Sequence, residues 1–157
     1  MGELLEKIKT KKAKIGIVGL GYVGLPLALE FVRSGYCVTG IDKNKERVES
    51  LKKGTSYVID VKSEDIAQFI EKGLFRVTDD TSVLSTLDAI SICVPTPLTK
   101  TKDPDMSYII NVSQEVKNYL HKDQLFILES TTYPGTTEEL VLPMLAEGGL
   151  TVGKDFY

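Results

Sequence analysis

Short apolar runs of β character alternate along the chain with longer stretches of helical period, the pattern of a parallel sheet covered by helices on both faces. The apolar runs predict five strands, at residues 13–19, 36–42, 75–78, 89–94 and 125–130. Helical periodicity falls between them at 22–34, 45–53, 64–72, 108–120 and 137–146, with a short helical turn at 81–85. Gly35 stops the first of these helices, since glycine tolerates the left-handed conformation of a helix end. Ser63 and Ser107 are placed to cap the starts of two others, and Thr136 with Glu139 has capping-box spacing. Residues 150–157 read as one more extended segment.

A chain of 157 residues with 42% hydrophobic content can bury one good core, so a single α/β domain is expected. Its formal net charge of −3 lacks the concentrated basic face of a nucleic-acid binder, which points to a small ligand. Lys7, Lys9, Lys11, Lys12 and Lys14 form a basic run at the front. We read residues 1–12 as a solvated lead-in with Leu4, Leu5 and Ile8 on its inner side. Cys37 and Cys93 each sit in an apolar run rather than in a paired spacing, which fits a reducing compartment. No apolar stretch reaches the ~18 residues of a membrane span, and the start has no signal-peptide core. Glu6 stands where lipidation at Gly2 would need Ser or Thr. These readings place the protein in the cytoplasm, away from membranes.

The first strand runs into Gly19-Leu20-Gly21-Tyr22-Val23-Gly24 and then directly into a helix. In a dinucleotide-binding turn Gly19 permits the sharp bend, Gly21 lets a diphosphate approach the backbone, and Gly24 lets helix and strand pack closely. The free amides and dipole of the helix start favour an anion there. A lone glycine motif is weak evidence, but the next strand ends in Asp42, 18 residues past Gly24. There the Rossmann-type fold, a doubly wound three-layer α/β/α sandwich, puts its ribose-binding acid. A carboxylate in that place accepts hydrogen bonds from ribose hydroxyls and repels a 2′-phosphate, favouring NAD over NADP. Lys43, Lys45 and Arg47 just downstream soften that repulsion.

Ligands of open parallel sheets sit beyond the carboxyl ends of the strands. The fourth strand ends in Val94-Pro95-Thr96-Pro97, where the prolines stiffen the turn and leave the Thr96 hydroxyl as the useful polar group beside the cofactor. A plain proline turn is the competing reading. The loop runs on to Met106, long enough to suggest a functional role. The fifth strand ends in a cluster of hydroxyls, of which Thr131 is singled out for the nicotinamide end, while others serve only to cap the next helix. Oxidising an alcohol also needs a proton acceptor. The one histidine, His121, lies after a helix and before a strand, at the far edge of the sheet, and reads as a surface residue. Cys93 reads as packing and not as a nucleophile.

Three blocks in order, GLGYVGLPLA at 19–28, ICVPTPLTKTKDPDMSYI at 92–109 and LESTTYPGTTEE at 128–139, resemble the UDP-glucose/GDP-mannose dehydrogenase family. Within it the likeness is strongest to the UDP-N-acetylglucosamine and UDP-N-acetylmannosamine or galactosamine 6-dehydrogenases. The resemblance covers residues 13–157 and implies an NAD-binding domain whose parent enzyme oxidises a sugar C6 hydroxyl to a carboxylate. That reaction uses two hydride transfers to two NAD molecules and a cysteine thiohemiacetal and thioester. It implies Tyr22, Val23, Asp42, Arg47, Thr96 and Thr131 as cofactor contacts, with Val94 and Pro95 beside them, and gives Thr131 a part in positioning a catalytic water. The family's catalytic cysteine, lysine and asparagine, its dimer-forming helix and its nucleotide-sugar domain would all follow Tyr157. The expectation is therefore a truncated domain that binds NAD weakly and does not turn over, from an enzyme that is a homodimer at full length. Two alternatives stay open: the amino-terminal domain of a 6-phosphogluconate-type β-hydroxyacid dehydrogenase, and a non-enzymatic nucleotide-sensing domain.

Overall fold

The computed structural model describes residues 2–100 and 102–157; Met1 of the lead-in and Thr101 of the long loop lie outside the described residues. Five strands form one parallel sheet: β1 (Lys14–Val18), β2 (Cys37–Ile41), β3 (Phe75–Thr78), β4 (Ala89–Ile92) and β5 (Leu125–Leu128). Their spatial order is β3-β2-β1-β4-β5, so the chain leaves β1 toward one side and returns to its other side with β4. That reversal opens a crevice at the carboxyl ends of β1 and β4, where a doubly wound sheet binds its ligand.

Alternation along the strands divides the core in two. On one face Ile15, Ile17, Val38 and Phe75 pack against Leu25 and Leu29 of helix α2 (Gly24–Arg33) and Val48 of α3 (Lys45–Lys52), with Ile66 of α4 (Ser63–Glu71) beside them. On the other face Ile41, Ile90 and Ile92 pack against Ile109, Val112 and Val116 of α5 (Ser107–Tyr119) and Leu145 of α6 (Leu142–Ala146). Each such aliphatic side chain contributes ~1.5–3 kcal/mol by leaving water, which makes the sheet the rigid support for the loops at its edge.

All five expected strands are present, and four of them end earlier than their apolar runs. Gly19, Asp42, Cys93 and Glu129 leave the regular ladder to shape the crevice, although the amide of Gly19 still reaches Ile41 O at 2.8 Å and that of Cys93 reaches Val18 O at 2.8 Å. The front of the chain is a helix, α1 (Gly2–Lys9), and not merely a lead-in. Leu4 is buried and Ile8 is half-buried against the core, whereas Leu5 is 43% exposed, one helical step off the inner stripe.

The expected caps are corrected. Ser63 and Ser107 are the first helical residues rather than caps, and neither preceding residue, Lys62 or Met106, makes a side-chain cap. The Ser63 hydroxyl instead accepts from Ser56 N at 2.9 Å, and Asp105 Oδ1 receives the Ser107 amide at 3.0 Å. Thr136 donates its hydroxyl back to Tyr133 O at 2.8 Å, so the helix begins after Gly135 without a capping box. The last helix is also two pieces, a π-helical turn at Thr136–Val141 followed by α6. Gly35 behaves as expected, with φ +93° just past the end of α2. The tail does run alongside β5: Tyr157 N donates to Gln124 O at 2.9 Å and Phe126 N to Tyr157 O at 2.6 Å, with Phe156 buried beneath.

Candidate functional site

A cavity of about 590 Å³ lies along the carboxyl edge of the sheet, floored by Val18, Gly19 and Ile41. Its geometry starts from the glycine turn. Gly19 has φ +92°, and a Cβ there would stand 2.6 Å from Cys93 O, so only glycine fits between β1 and the end of β4. At Gly24 a Cβ would meet Gly19 O at 1.8 Å, so the residue is needed for α2 to start so close to its own strand. Gly21 differs: a Cβ there would touch nothing within 4 Å, since that position faces open space along the cavity. Steric need within the protein explains Gly19 and Gly24 and does not explain Gly21. No side chain caps α2 at Val23, so the orphan amides of the helix start stand at the cavity wall.

Asp42 follows the last residue of β2 and is 8% exposed. Its Oδ2 accepts the Leu20 amide at 2.9 Å and its Oδ1 the Asn44 amide at 2.8 Å, which pins the carboxylate between the glycine turn and the start of α3. Each carboxylate oxygen keeps a lone pair beyond those bonds, because an ionised carboxylate has about four acceptor sites. Arg47 Nη1 lies 3.6 Å from Asp42 Oδ2 and balances its charge. Lys43 pairs with Glu115 of α5 rather than with Asp42, so of the three downstream cations considered from the sequence it is Arg47 that offsets the acid.

The loops after β4 and β5 form the opposite wall and are stitched together by hydroxyls. Ser130 donates to Val94 O at 2.8 Å, and Thr96 Oγ1 donates to Thr131 O at 2.7 Å. The Thr96 proton is thus committed to the neighbouring loop, which leaves its hydroxyl only acceptor capacity toward the cavity. Val94, Pro95, Thr96 and Thr131 all line the cavity, as do Gly19, Gly21, Tyr22, Val23, Asp42 and Arg47; Gly24 sits behind the turn as a packing residue. The Thr131 side chain is exposed and does not cap the following helix, whose cap is Gly135.

Sequence reasoning missed Tyr57, in the loop between α3 and α4. Its hydroxyl donates to Leu20 O at 2.6 Å, and the Arg47 guanidinium lies over its ring at 5.5 Å. Burial raises the Tyr57 phenol to about 12, with the nearby Asp42 charge adding to the shift. The signal was an aromatic beside Val58, Ile59 and Val61 in the connector, which does not stand out from its apolar neighbours. Also missed was the wall supplied by α5, where Tyr108, Asn111 and Glu115 recur at helical spacing on a polar stripe.

Cys93 does reach the cavity wall, just past β4. Burial pushes its thiol above the ordinary range, so it is a poor nucleophile. His121 is half-buried rather than on the surface, with Nε2 3.0 Å from Leu87 O ahead of β4, and it does not line the cavity. Among the described residues no group of His, Cys, Asp and Glu is placed to hold a metal ion, and no helix is long and apolar enough to cross a membrane.

Residues 13–157 match the model of the UDP-glucose/GDP-mannose dehydrogenase family, NAD-binding domain. The chain belongs to this family. Over 147 residues it is 39% identical to the UDP-N-acetyl-D-glucosamine 6-dehydrogenase of Salmonella typhi, covering 93% of this chain and 34% of that protein. The UDP-D-ManNAc dehydrogenase of Pyrococcus horikoshii superposes with a TM-score of 0.86 at 36% identity, over 92% of this chain and 34% of the other. A ternary complex of GDP-mannose dehydrogenase from Pseudomonas aeruginosa gives 0.86 at 29% identity, over 91% and 34%. The chain therefore spans about a third of the length of these relatives, and what it represents in the UDP-glucose/GDP-mannose dehydrogenase family is the NAD-binding domain. The residues present fit such a cofactor: the approach at Gly21 is open, the start of α2 has no side-chain cap, and Asp42 keeps acceptor capacity.

Proposed function

We propose that this chain is the cofactor-holding part of a dehydrogenase that oxidises the C6 hydroxyl of a UDP-N-acetylhexosamine to a carboxylate in two steps. The observation that carries the reading is Asp42, held by Leu20 and Asn44 amides at the mouth of the glycine turn with acceptor capacity to spare. The names of the relatives with 34–39% identity over most of the chain supply the sugar class. NAD supplies the hydride acceptor.

The chain's own residues bind and orient it. The amides around Gly19, Gly21, Tyr22 and Val23 take the diphosphate, with Gly24 holding the helix close enough for them to do so. Asp42 takes the ribose hydroxyls of the adenosine, and Arg47 stands beside them. Val94, Pro95 and Thr96 border the nicotinamide half, where Thr131 meets the substrate and positions water. Among the described residues the wall has no histidine, and its thiol, Cys93, is buried with its pKa raised, so in this reading residues 13–157 form a domain that binds NAD and leaves the covalent chemistry to other parts of the enzyme.

Isothermal titration of the folded chain with NAD and with NADP tests the cofactor half. NAD is expected to bind saturably at or below millimolar concentration and NADP at least tenfold more weakly, because the Asp42 charge opposes a 2′-phosphate. Equal binding of both, or none, contradicts it. The sugar half is tested on an enzyme carrying this domain, which should reduce two NAD for each UDP-N-acetylhexosamine consumed; oxidation of UDP-glucose alone counts against the N-acetylated class.

A further inference from the structure

The connector between α3 and α4 is built to hold Tyr57 in one place. Gly54, at φ +73°, turns the chain out of α3 at a point where a Cβ would stand 2.9 Å from Ala67 Cβ of α4. Ser56 pins the backbone on both sides of the tyrosine: its amide donates to Ser63 Oγ at 2.9 Å and its hydroxyl to Val58 O at 3.0 Å, while Val58 packs against the core. From there Tyr57 reaches both neighbours of Asp42 Oδ2. Its hydroxyl donates to Leu20 O at 2.6 Å, and the Leu20 amide donates to that carboxylate oxygen at 2.9 Å. Its ring lies 5.5 Å from the Arg47 guanidinium, whose Nη1 is 3.6 Å from the same oxygen. Asp42, Leu20, Tyr57 and Arg47 thus close a ring of contacts. Arg47 lines the cavity with its side chain 45% exposed, and Tyr57 supports it from behind.

We infer that Tyr57 is a positioning residue of the nucleotide site: its ring holds the Arg47 guanidinium beside Asp42 before the cofactor arrives, so that the remaining N–H donors meet the ribose end of the ligand already ordered. This rests on the reading of the cavity as the NAD site and adds to it a residue that acts through another. A long side chain that a ligand must immobilise weakens binding by the rotamer freedom it loses. A planar guanidinium stacked on an aromatic face has given up that freedom beforehand. The two ends of Tyr57 have separable parts. Its hydroxyl steadies the glycine turn through Leu20, whereas its ring acts on Arg47, and phenylalanine keeps the second part while losing the first.

Two measurements test it. In the ligand-free chain the ring current should move the Arg47 side-chain N–H signal upfield in the wild type and in Tyr57→Phe. The signal should return to the ordinary arginine range in Tyr57→Leu and in Tyr57→Met, a second variant without a ring. In calorimetric titrations with NAD, each variant first shown to be folded by circular dichroism, Tyr57→Phe should stay within about twofold of the wild type. The ringless variants should bind about fivefold more weakly, the scale of ordering one arginine side chain. Arg47→Ala should weaken NAD at least as much, and adding Tyr57→Leu to it should change the affinity by less than about twofold. Equal losses in Tyr57→Phe and Tyr57→Leu, a loss from Tyr57→Leu that persists without Arg47, no loss in either ringless variant, or an unshifted Arg47 signal in the wild type each overturns the role of the ring while leaving the NAD site intact. A folded wild type that binds no NAD overturns both.

Discussion

Alanine at two glycines of one turn should have opposite outcomes, because Gly24 is required by packing within the protein whereas Gly21 borders only the open cavity. Gly24→Ala drives a methyl group to 1.8 Å from Gly19 O, a backbone atom that cannot step aside. The variant should lose about 3 kcal/mol or fail to fold, as overpacked sites do. Gly21→Ala meets nothing within 4 Å and should keep its stability to within about 0.5 kcal/mol in a urea titration. Its affinity for NAD should nevertheless fall at least tenfold, since the methyl occupies the path of the diphosphate. Undiminished binding by Gly21→Ala would show that the diphosphate lies elsewhere. Asp42 belongs to the same scale: it is fixed by two backbone amides before any ligand arrives, so binding does not have to order it.

Among the elements, the connector between α3 and α4 does more than join them. Tyr57 ties it to Leu20 O in the glycine turn and backs Arg47, so a loop distant in sequence helps fix both sides of Asp42. The phenol is raised from 10.0 to about 12, which means the folded chain holds this proton more tightly than the unfolded one between those values. The stability it adds is fully present below pH 10 and is lost as pH rises through about 12. Tyr57→Phe should cost about 1 kcal/mol at neutral pH by removing the hydrogen bond. The wild-type advantage over Tyr57→Phe in urea unfolding should be flat from pH 7 to 9.5 and shrink toward pH 12; a gap that does not change with pH would mean the phenol is not held in this way.

Tyr57 also marks the limit of what the chain reveals unfolded. The strands were legible because runs such as Ile15, Ile17 and Val18 are buried on both faces of the sheet, and Asp42 was legible because its spacing from Gly24 is set by one helix and one strand. The capping serines misled because short polar side chains have several local partners to choose from, and Ser63 served the loop at Ser56 instead. The α1 helix was hidden by its lysines, although Leu4 and Ile8 stand four residues apart. Glu115 was out of reach, since a polar stripe on a helix reads as solvated until the fold turns it toward Lys43 and the cavity.

At the scale of the whole molecule, the two cores meet the site from opposite sides, and the sheet carries the load between them. The tail belongs to this frame. Phe156 is 2% exposed in the core under α5 and α6, and the backbone on either side of it is bonded along β5. Phe156→Ala should therefore cost about 3–5 kcal/mol in urea unfolding, comparable to other buried aromatic truncations. A loss under 1 kcal/mol would show that the tail merely rests on the sheet.

In the arrangement proposed above, NAD lies along the carboxyl edge of this sheet with its diphosphate on the glycine turn and its ribose at Asp42. Amide chemical shifts of the isotopically labelled chain, followed during a titration with NAD, test it most directly. Gly21, Tyr22, Val23 and Asn44 should shift together on one saturating curve while His121 and Leu87, at the amino edge, stay in place. Shifts concentrated at the amino edge, or a glycine turn unmoved at millimolar NAD in a folded sample, would contradict it.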